Sequence, residues 1–69
     1  MITIYGETIY DMYQAKERIQ AWFEDHPWDI WLEETSYGPI IFIEDIYDGL
    51  ELSKALMTLE EVKAFCDEY

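Results

Sequence analysis

The hydrophobic residues of the chain follow two different spacings, one typical of strands and one typical of helices. At the N-terminus, Ile2 and Ile4 alternate with Thr3 and Tyr5, and Gly6 ends the run. Alternation over this length predicts a short, half-buried strand.

A helical spacing follows this first strand. Thr8 and Asp11 have the separation of a capping box, with Asp in place of the usual Glu, and predict a helix that runs to about Asp25. Pro27 disfavours helical dihedrals at His26 and closes the element. The apolar residues recur on one helical face: Ile9, Met12, Ala15, Ile19, Trp22 and Phe23.

Residues 28–35 return to alternation and predict a second strand. The turn residues 36–39 separate it from the largely apolar run 40–45, so the two runs should pair as a hairpin with 40–45 in a central position. Asp48-Gly49 is a turn signal, and residues 50–55 are predicted to form a final short strand.

The last element is a second amphipathic helix. Thr58 and Glu61 form a full capping box, and the apolar stripe that follows includes Val62, Phe65 and Cys66. The order β-α-β-β-β-α predicts an α+β fold in which two helices pack on one face of a small, largely antiparallel sheet. The other face should remain partly open. Alternation places these residues on it: Thr3, Tyr5, Asp29, Trp31, Glu33, alternate residues of 40–45, and Glu51.

Length and charge narrow the possible functions. The 69 residues allow a single domain, 1–69, and a hydrophobic fraction of 51% indicates that it folds. Sixteen acidic residues against four basic ones give a net charge of −12, more than the magnitude of about 2 to 8 that solubility requires in a small domain. Direct binding to nucleic acid or to an anionic membrane is disfavoured, because both need clustered cations. The complementary partner is a basic protein surface.

The residues that usually carry catalysis or metal binding give no site. His26 and Cys66 are the only histidine and the only cysteine, and neither lies in a recognisable catalytic motif. Residues 45–51 resemble a calcium loop, but Ile46 and Ala55 occupy ligand positions of the aligned EF-hand. We therefore expect no enzyme activity, cofactor or metal. The lone cysteine and the absence of a signal peptide favour a cytoplasmic location, in a bacterial host.

The candidate binding residues are acids that recur along the predicted strands and the first helix, together with one aromatic residue. They serve either solubility alone or recognition of a cationic partner. Trp31 either packs at a sheet edge or anchors an interface. The predicted partner-binding residues are Glu17, Glu24, Asp25, Asp29, Trp31, Glu33, Glu34, Glu44, Asp45, Asp48 and Glu51.

In size, acidity and aromatic content the chain resembles the small phage-encoded inhibitors that mimic DNA, among them anti-CRISPR and anti-restriction proteins. The resemblance lies in the charge profile of the whole chain and involves no shared motif. It implies a mechanism in which the protein blocks the basic nucleic-acid-binding groove of a target such as a Cas effector or a restriction enzyme. The alternative is a small acidic interaction module that binds a partner through an exposed aromatic sheet face.

Overall fold

A computed structural model describes residues 1–47 and 52–69. Its elements are β1 (Ile2–Ile4), β2 (Glu7–Ile9), α1 (Met12–Trp22), β3 (Trp28–Thr35), β4 (Gly38–Asp45), β5 (Ser53–Leu56) and α2 (Leu59–Glu68). The α+β class and the predicted order of elements are confirmed, with β2 as an additional strand. The predicted Asp48-Gly49 turn and the candidate residue Glu51 lie outside the described residues.

The N-terminal region differs from the prediction. β1 and β2 form an antiparallel hairpin joined by Tyr5 and Gly6, whose φ angles are 52° and 78°. Positive φ at both central residues is the geometry of a two-residue turn that matches the twist of the flanking strands. Thr8 therefore lies in β2, opposite Thr3, and the prediction that it caps a helix is wrong.

The first helix begins three residues later than predicted, and it ends at Trp22 instead of about Asp25. Its N-cap is Asp11, whose carboxylate accepts a hydrogen bond from the Gln14 N–H at 2.8 Å. The Gln14 Oε1 in turn accepts from the Tyr10 N–H at 2.8 Å. Asp11 and Gln14 thus satisfy the first turn in the manner of a capping box.

The main sheet contains β3, β4 and β5, in that order, and all pairs are antiparallel. The hairpin of β1 and β2 forms a separate two-stranded sheet. The prediction that Thr3 and Tyr5 share the open face of the main sheet is therefore wrong. The Tyr5 ring instead packs edge-on against Trp22 of α1, with 4.9 Å between ring centroids.

Both helices pack on one face of the main sheet. The buried sheet residues Ile30, Ile41, Ile43 and Leu56 share that face, because Ile30 pairs with Ile43 and Ile41 pairs with Leu56. One continuous core joins them to the helices and the hairpin, through residues that include Ile4, Ile9, Ala15, Ile19, Val62 and Phe65.

Polar contacts fix the N-terminal hairpin to the two helices. Arg18 of α1 binds both carboxylate oxygens of Glu7, at 2.8 and 3.0 Å. The Tyr5 hydroxyl donates to the Cys66 carbonyl oxygen of α2 at 2.7 Å. Neither α1 nor α2, the helices of the described part, has the length and apolar character needed to cross a bilayer.

Candidate functional site

The face of the main sheet that points away from the helices carries an ordered set of side chains. We call it the open face. Its residues, as the strand register places them, are Asp29, Trp31, Glu33, Ile40, Phe42, Glu44, Ser53 and Ala55. Successive rows along a strand are about 6.6 Å apart on one face. The register therefore decides which side chains stand beside each other.

The first row is acidic. Asp29 of β3 lies directly opposite Glu44 of β4, and Ser53 of β5 lies on the other side of Glu44. Both carboxylate side chains are exposed. Like charges at directly opposed positions of an antiparallel pair destabilise the sheet. The register therefore places two like charges at directly opposed positions of adjacent strands.

The second row is aromatic. Trp31 lies opposite Phe42, and the two rings stack with 5.5 Å between centroids and 18° between planes. Ala55 continues the row on β5 and is exposed. Trp31 and Phe42 are half-buried although they lie on the face away from the core, because each ring covers part of the other. Together they form an apolar platform next to the Asp29–Glu44 pair.

The third row returns to a carboxylate. Glu33 is exposed and lies opposite the half-buried Ile40. Glu33 follows Asp29 by four positions along β3, a distance of about 13 Å. The open face thus presents carboxylates on both sides of the Trp31 and Phe42 platform.

The basic residues of the described strands and helices do not neutralise this face. The ion pairs found within residues 1–47 and 52–69 join Arg18 to Glu7 and Lys63 to Asp67, away from the open face. Lys54 pairs in register with the buried Ile43, so its side chain lies on the helix side of the sheet. The open face consequently keeps its negative character.

The structure brings together only part of the predicted site. Asp29, Trp31, Glu33 and Glu44 share the open face. Glu34 belongs to the opposite face, where its carboxylate accepts a hydrogen bond from the Tyr13 hydroxyl. That hydrogen bond raises the pKa of Tyr13 above its ordinary value.

The other predicted acids lie elsewhere. Asp45 follows Glu44 on the opposite face, and its carboxylate accepts from the Tyr47 N–H at 2.9 Å. Glu17 is on the exposed side of α1, and Glu24 and Asp25 follow the end of that helix. Asp48 and Glu51 lie outside the described residues. The acids are therefore distributed over several surfaces, with one ordered group on the open face.

A polar cleft of about 280 Å³ adjoins the open face at the edge formed by β3. Asp29 lines this cleft together with Glu24, His26 and Trp28. The His26 ring stacks against Trp28 with 4.2 Å between centroids. Through Asp29, the acidic surface continues from the open face to the edge of the sheet.

The thiol of Cys66, the single cysteine of the chain, lies in the core. Cys66 is 3% exposed, and burial raises the pKa of its thiol to about 11, so the thiolate is suppressed at neutral pH. Burial also raises the pKa of the neighbouring Tyr5 hydroxyl. Among the described residues, no three His, Cys, Asp or Glu side chains are grouped so as to hold a metal ion.

The predicted partner-binding residues did not include Phe42 and Ala55, which complete the aromatic row. Both positions follow from the strand register, which pairs Trp31 with Phe42 and Phe42 with Ala55. The alternation within β4 was a signal that pointed to Phe42.

No protein-family model matches the chain, and neither the curated proteins nor the solved structures contain a match to it.

Proposed function

We propose that the protein binds a basic, nucleic-acid-binding surface of another protein through its open face, and that it thereby competes with nucleic acid. The observation that carries this proposal is the Asp29–Glu44 pair, in which two exposed carboxylates face each other across adjacent strands. A partner that supplies Arg or Lys would offset the repulsion between like charges at these positions. This would make the free energy of binding more favourable.

The arrangement of the rows supports competition with nucleic acid. Carboxylates about 13 Å apart along β3 flank an apolar platform. The major groove of DNA is about 12 Å wide and is bordered by phosphates, with base edges between them. Arginine side chains that contact such a groove can pair with the carboxylates and stack on Trp31.

The proposal is tested by displacement. Proteins of a bacterial lysate are bound to immobilised DNA, and the purified protein is added at low salt. We expect it to release a specific DNA-binding protein, which is identified by mass spectrometry and then used in purified form in a fluorescence competition assay. Potency should fall steeply as salt rises, because both surfaces release counterions on binding.

Variants that remove equal charge separate the open face from general acidity. Asp29→Asn with Glu44→Gln should weaken the competition by about tenfold or more. Glu60→Gln with Glu68→Gln removes the same charge from exposed positions of α2 outside the predicted partner-binding set, and should change it by less than about twofold. Equal effects of the two double variants, or potency that is insensitive to salt, would refute the proposal.

A second candidate function rests on the stacked Trp31 and Phe42 rings. In this alternative the chain is a protein-interaction module whose aromatic platform provides the binding energy, with the carboxylates serving solubility. Trp and Tyr dominate binding hot spots when a partner desolvates them. Trp31→Ala would then abolish binding, while the Asp29 and Glu44 amide variants would have little effect.

A further inference from the structure

The edge of the main sheet at β5 offers backbone groups that have no partner within residues 1–47 and 52–69. The Leu52 carbonyl oxygen accepts from the Asp45 N–H at 3.2 Å, so the Leu52 backbone faces β4. Backbone groups of successive strand residues point alternately to the two sides. Lys54 and Leu56 therefore face β4 with their backbone groups, and the N–H and C=O groups of Ser53 and Ala55 point outward.

The opposite edge of the sheet, at β3, is partly occupied. The Gln20 side chain donates from Nε2 to the Ile30 carbonyl oxygen at 3.1 Å. Within residues 1–47 and 52–69, β5 pairs with β4 alone. As far as the described residues go, an added strand therefore meets fewer obstacles at β5 than at β3.

A groove of about 210 Å³ runs beside this edge, between β5 and α2. Its apolar floor includes Leu56 and Phe65, which are 5% and 3% exposed. Ala64 is exposed and small, so its side chain leaves the groove open on the side of α2. The remaining lining residues are Lys54, Ala55, Glu61 and Glu68.

The helix side of the groove carries an ordered charge pattern. Glu61, Ala64, Phe65 and Glu68 follow the spacing i, i+3, i+4, i+7 and therefore form one stripe of α2. The two carboxylates are about 10.5 Å apart along the helix, with the apolar residues between them. Glu61 keeps a local contact as well, since the Thr58 hydroxyl lies 3.4 Å from its Oε1.

We infer that β5 and the groove beside it bind an extended segment of a partner protein, which adds a fourth strand to the sheet. Every second residue of that strand faces the groove. A central apolar residue would contact Ala64 and Phe65. Basic residues two positions before and after it are about 13 Å apart and would reach Glu61 and Glu68. The recognised pattern is basic-x-apolar-x-basic.

A second copy of this chain does not supply that pattern, because its described strands carry at most one basic residue, Lys54. The inference goes beyond the proposed function, since the groove is on the helix side of the sheet and does not involve the Asp29–Glu44 pair. The two ideas can therefore fail independently.

The test uses a fluorescent peptide with the core Lys-Thr-Val-Thr-Lys, and a scrambled peptide of the same composition with adjacent lysines. Amide resonances of the ¹⁵N-labelled protein are followed during the titration. We expect shifts at Ser53, Ala55 and Ala64 and weaker binding of the scrambled peptide. No shifts at millimolar peptide, or shifts confined to Trp31 and Phe42, would overturn the inference.

Three variants locate the contact. Ala64→Arg fills the groove and opposes the basic peptide, and should weaken binding by about tenfold. The matched control, Ala21→Arg, makes the same change on the exposed side of α1 and should have an effect of less than about twofold. Ala55→Pro removes an outward N–H that the β4 ladder does not use, and should also reduce binding.

Far-UV circular dichroism establishes that each variant is folded. If Ala55→Pro does not fold, Ala64→Arg and Ala21→Arg still decide the result, because neither changes the strand. Equal losses from the two arginine variants would show nonspecific charge attraction and would refute a groove site.

The Asp29→Asn, Glu44→Gln double variant should bind the peptide within about twofold of the parent protein, whatever its effect on DNA competition. A concentration-dependent rise in mass without peptide that Ala55→Pro abolishes would identify self-association as the use of this edge and would also refute the inference.

Discussion

The Tyr5 hydroxyl donates a hydrogen bond to the Cys66 carbonyl oxygen at 2.7 Å and so joins the first hairpin to the last helix. Tyr5 also occupies the left-handed region of backbone space, with φ of 52°, at the turn between β1 and β2. Tyr5 is therefore one of the two residues that reverse the chain, and it also fixes the reversed segment to an element near the opposite end of the sequence.

Tyr5→Phe should lower the free energy of unfolding by about 1 kcal/mol, because it removes this hydrogen bond and keeps the ring that packs against Trp22. Urea denaturation followed by tryptophan fluorescence measures the difference. Tyr10→Phe, at a side chain that is 65% exposed, is the control and should change stability by less than about 0.5 kcal/mol. Equal effects of the two variants would contradict a structural role of the Tyr5 hydroxyl.

Alkaline pH should destabilise the fold through Cys66. Burial raises the pKa of its thiol to about 11 in the folded protein, from 9.0 without burial. The unfolded chain thus releases the thiol proton first, and the free energy of unfolding should fall as pH rises from about 9 to 11. Cys66→Ala should show a shallower fall when both proteins are unfolded in urea across this range. Identical pH profiles would exclude the thiol as the cause.

Relief of the Asp29–Glu44 repulsion should stabilise the protein. We expect Asp29→Asn to raise the free energy of unfolding by about 0.5 kcal/mol, and added salt to reduce the difference from the parent protein. Glu17→Gln removes a charge from α1 and serves as the control, so its free energy of unfolding is compared with that of Asp29→Asn. A variant that is more stable and yet competes less well with DNA would show that the charge pair serves binding.

The two candidate caps of the first helix are distinguished by alanine substitution. Asp11→Ala removes the acceptor of the Gln14 N–H and should cost about 1 kcal/mol of stability. Thr8→Ala should cost less than about 0.5 kcal/mol, because Thr8 is exposed in β2 and caps no helix. Thermal unfolding followed by circular dichroism compares the two. A larger loss for Thr8→Ala would place the helix start where the sequence pattern alone predicted it.

The Trp31 and Phe42 rings should be energetically coupled. A double-mutant cycle of Trp31→Ala and Phe42→Ala should give an interaction energy of about 1 kcal/mol, since the rings stack across adjacent strands. Trp31→Ala paired with Tyr37→Ala is the control, because Tyr37 is 85% exposed. Additive losses for Trp31 and Phe42 would show that the stack contributes nothing beyond the individual residues.

Local patterns in the sequence predicted the helix and strand positions correctly in regions that contain a single cap or turn signal. The Thr58 cap of α2 is confirmed, since its hydroxyl accepts from the Glu61 N–H at 3.1 Å. The strand predicted at residues 28–35 is β3, and the run 40–45 lies within β4. The final strand, predicted at 50–55, is described at Ser53–Leu56.

The N-terminal region was mispredicted because two cap signals overlap there. Thr8 and Asp11 have capping-box spacing, and so do Asp11 and Gln14. Only the second is used, since the turn at Tyr5 and Gly6 pairs Thr8 with Thr3. That turn lacks the Asn-Gly or Asp-Gly pair that usually marks such a hairpin, and the contacts that stabilise it come from Arg18 and Cys66, far along the chain.

By itself, the sequence determined the net charge of −12, the α+β class and the alternation that separates Asp29, Trp31 and Glu33 from the core, because these depend on composition and local periodicity. The tertiary structure alone decided which of the acids lie opposite each other and which lie on different faces of the sheet. Strand register sets Asp29 opposite Glu44, and α1 packing brings Tyr13 to Glu34 on the other face. Pairing and packing join residues distant in the chain, and no local pattern carries that information.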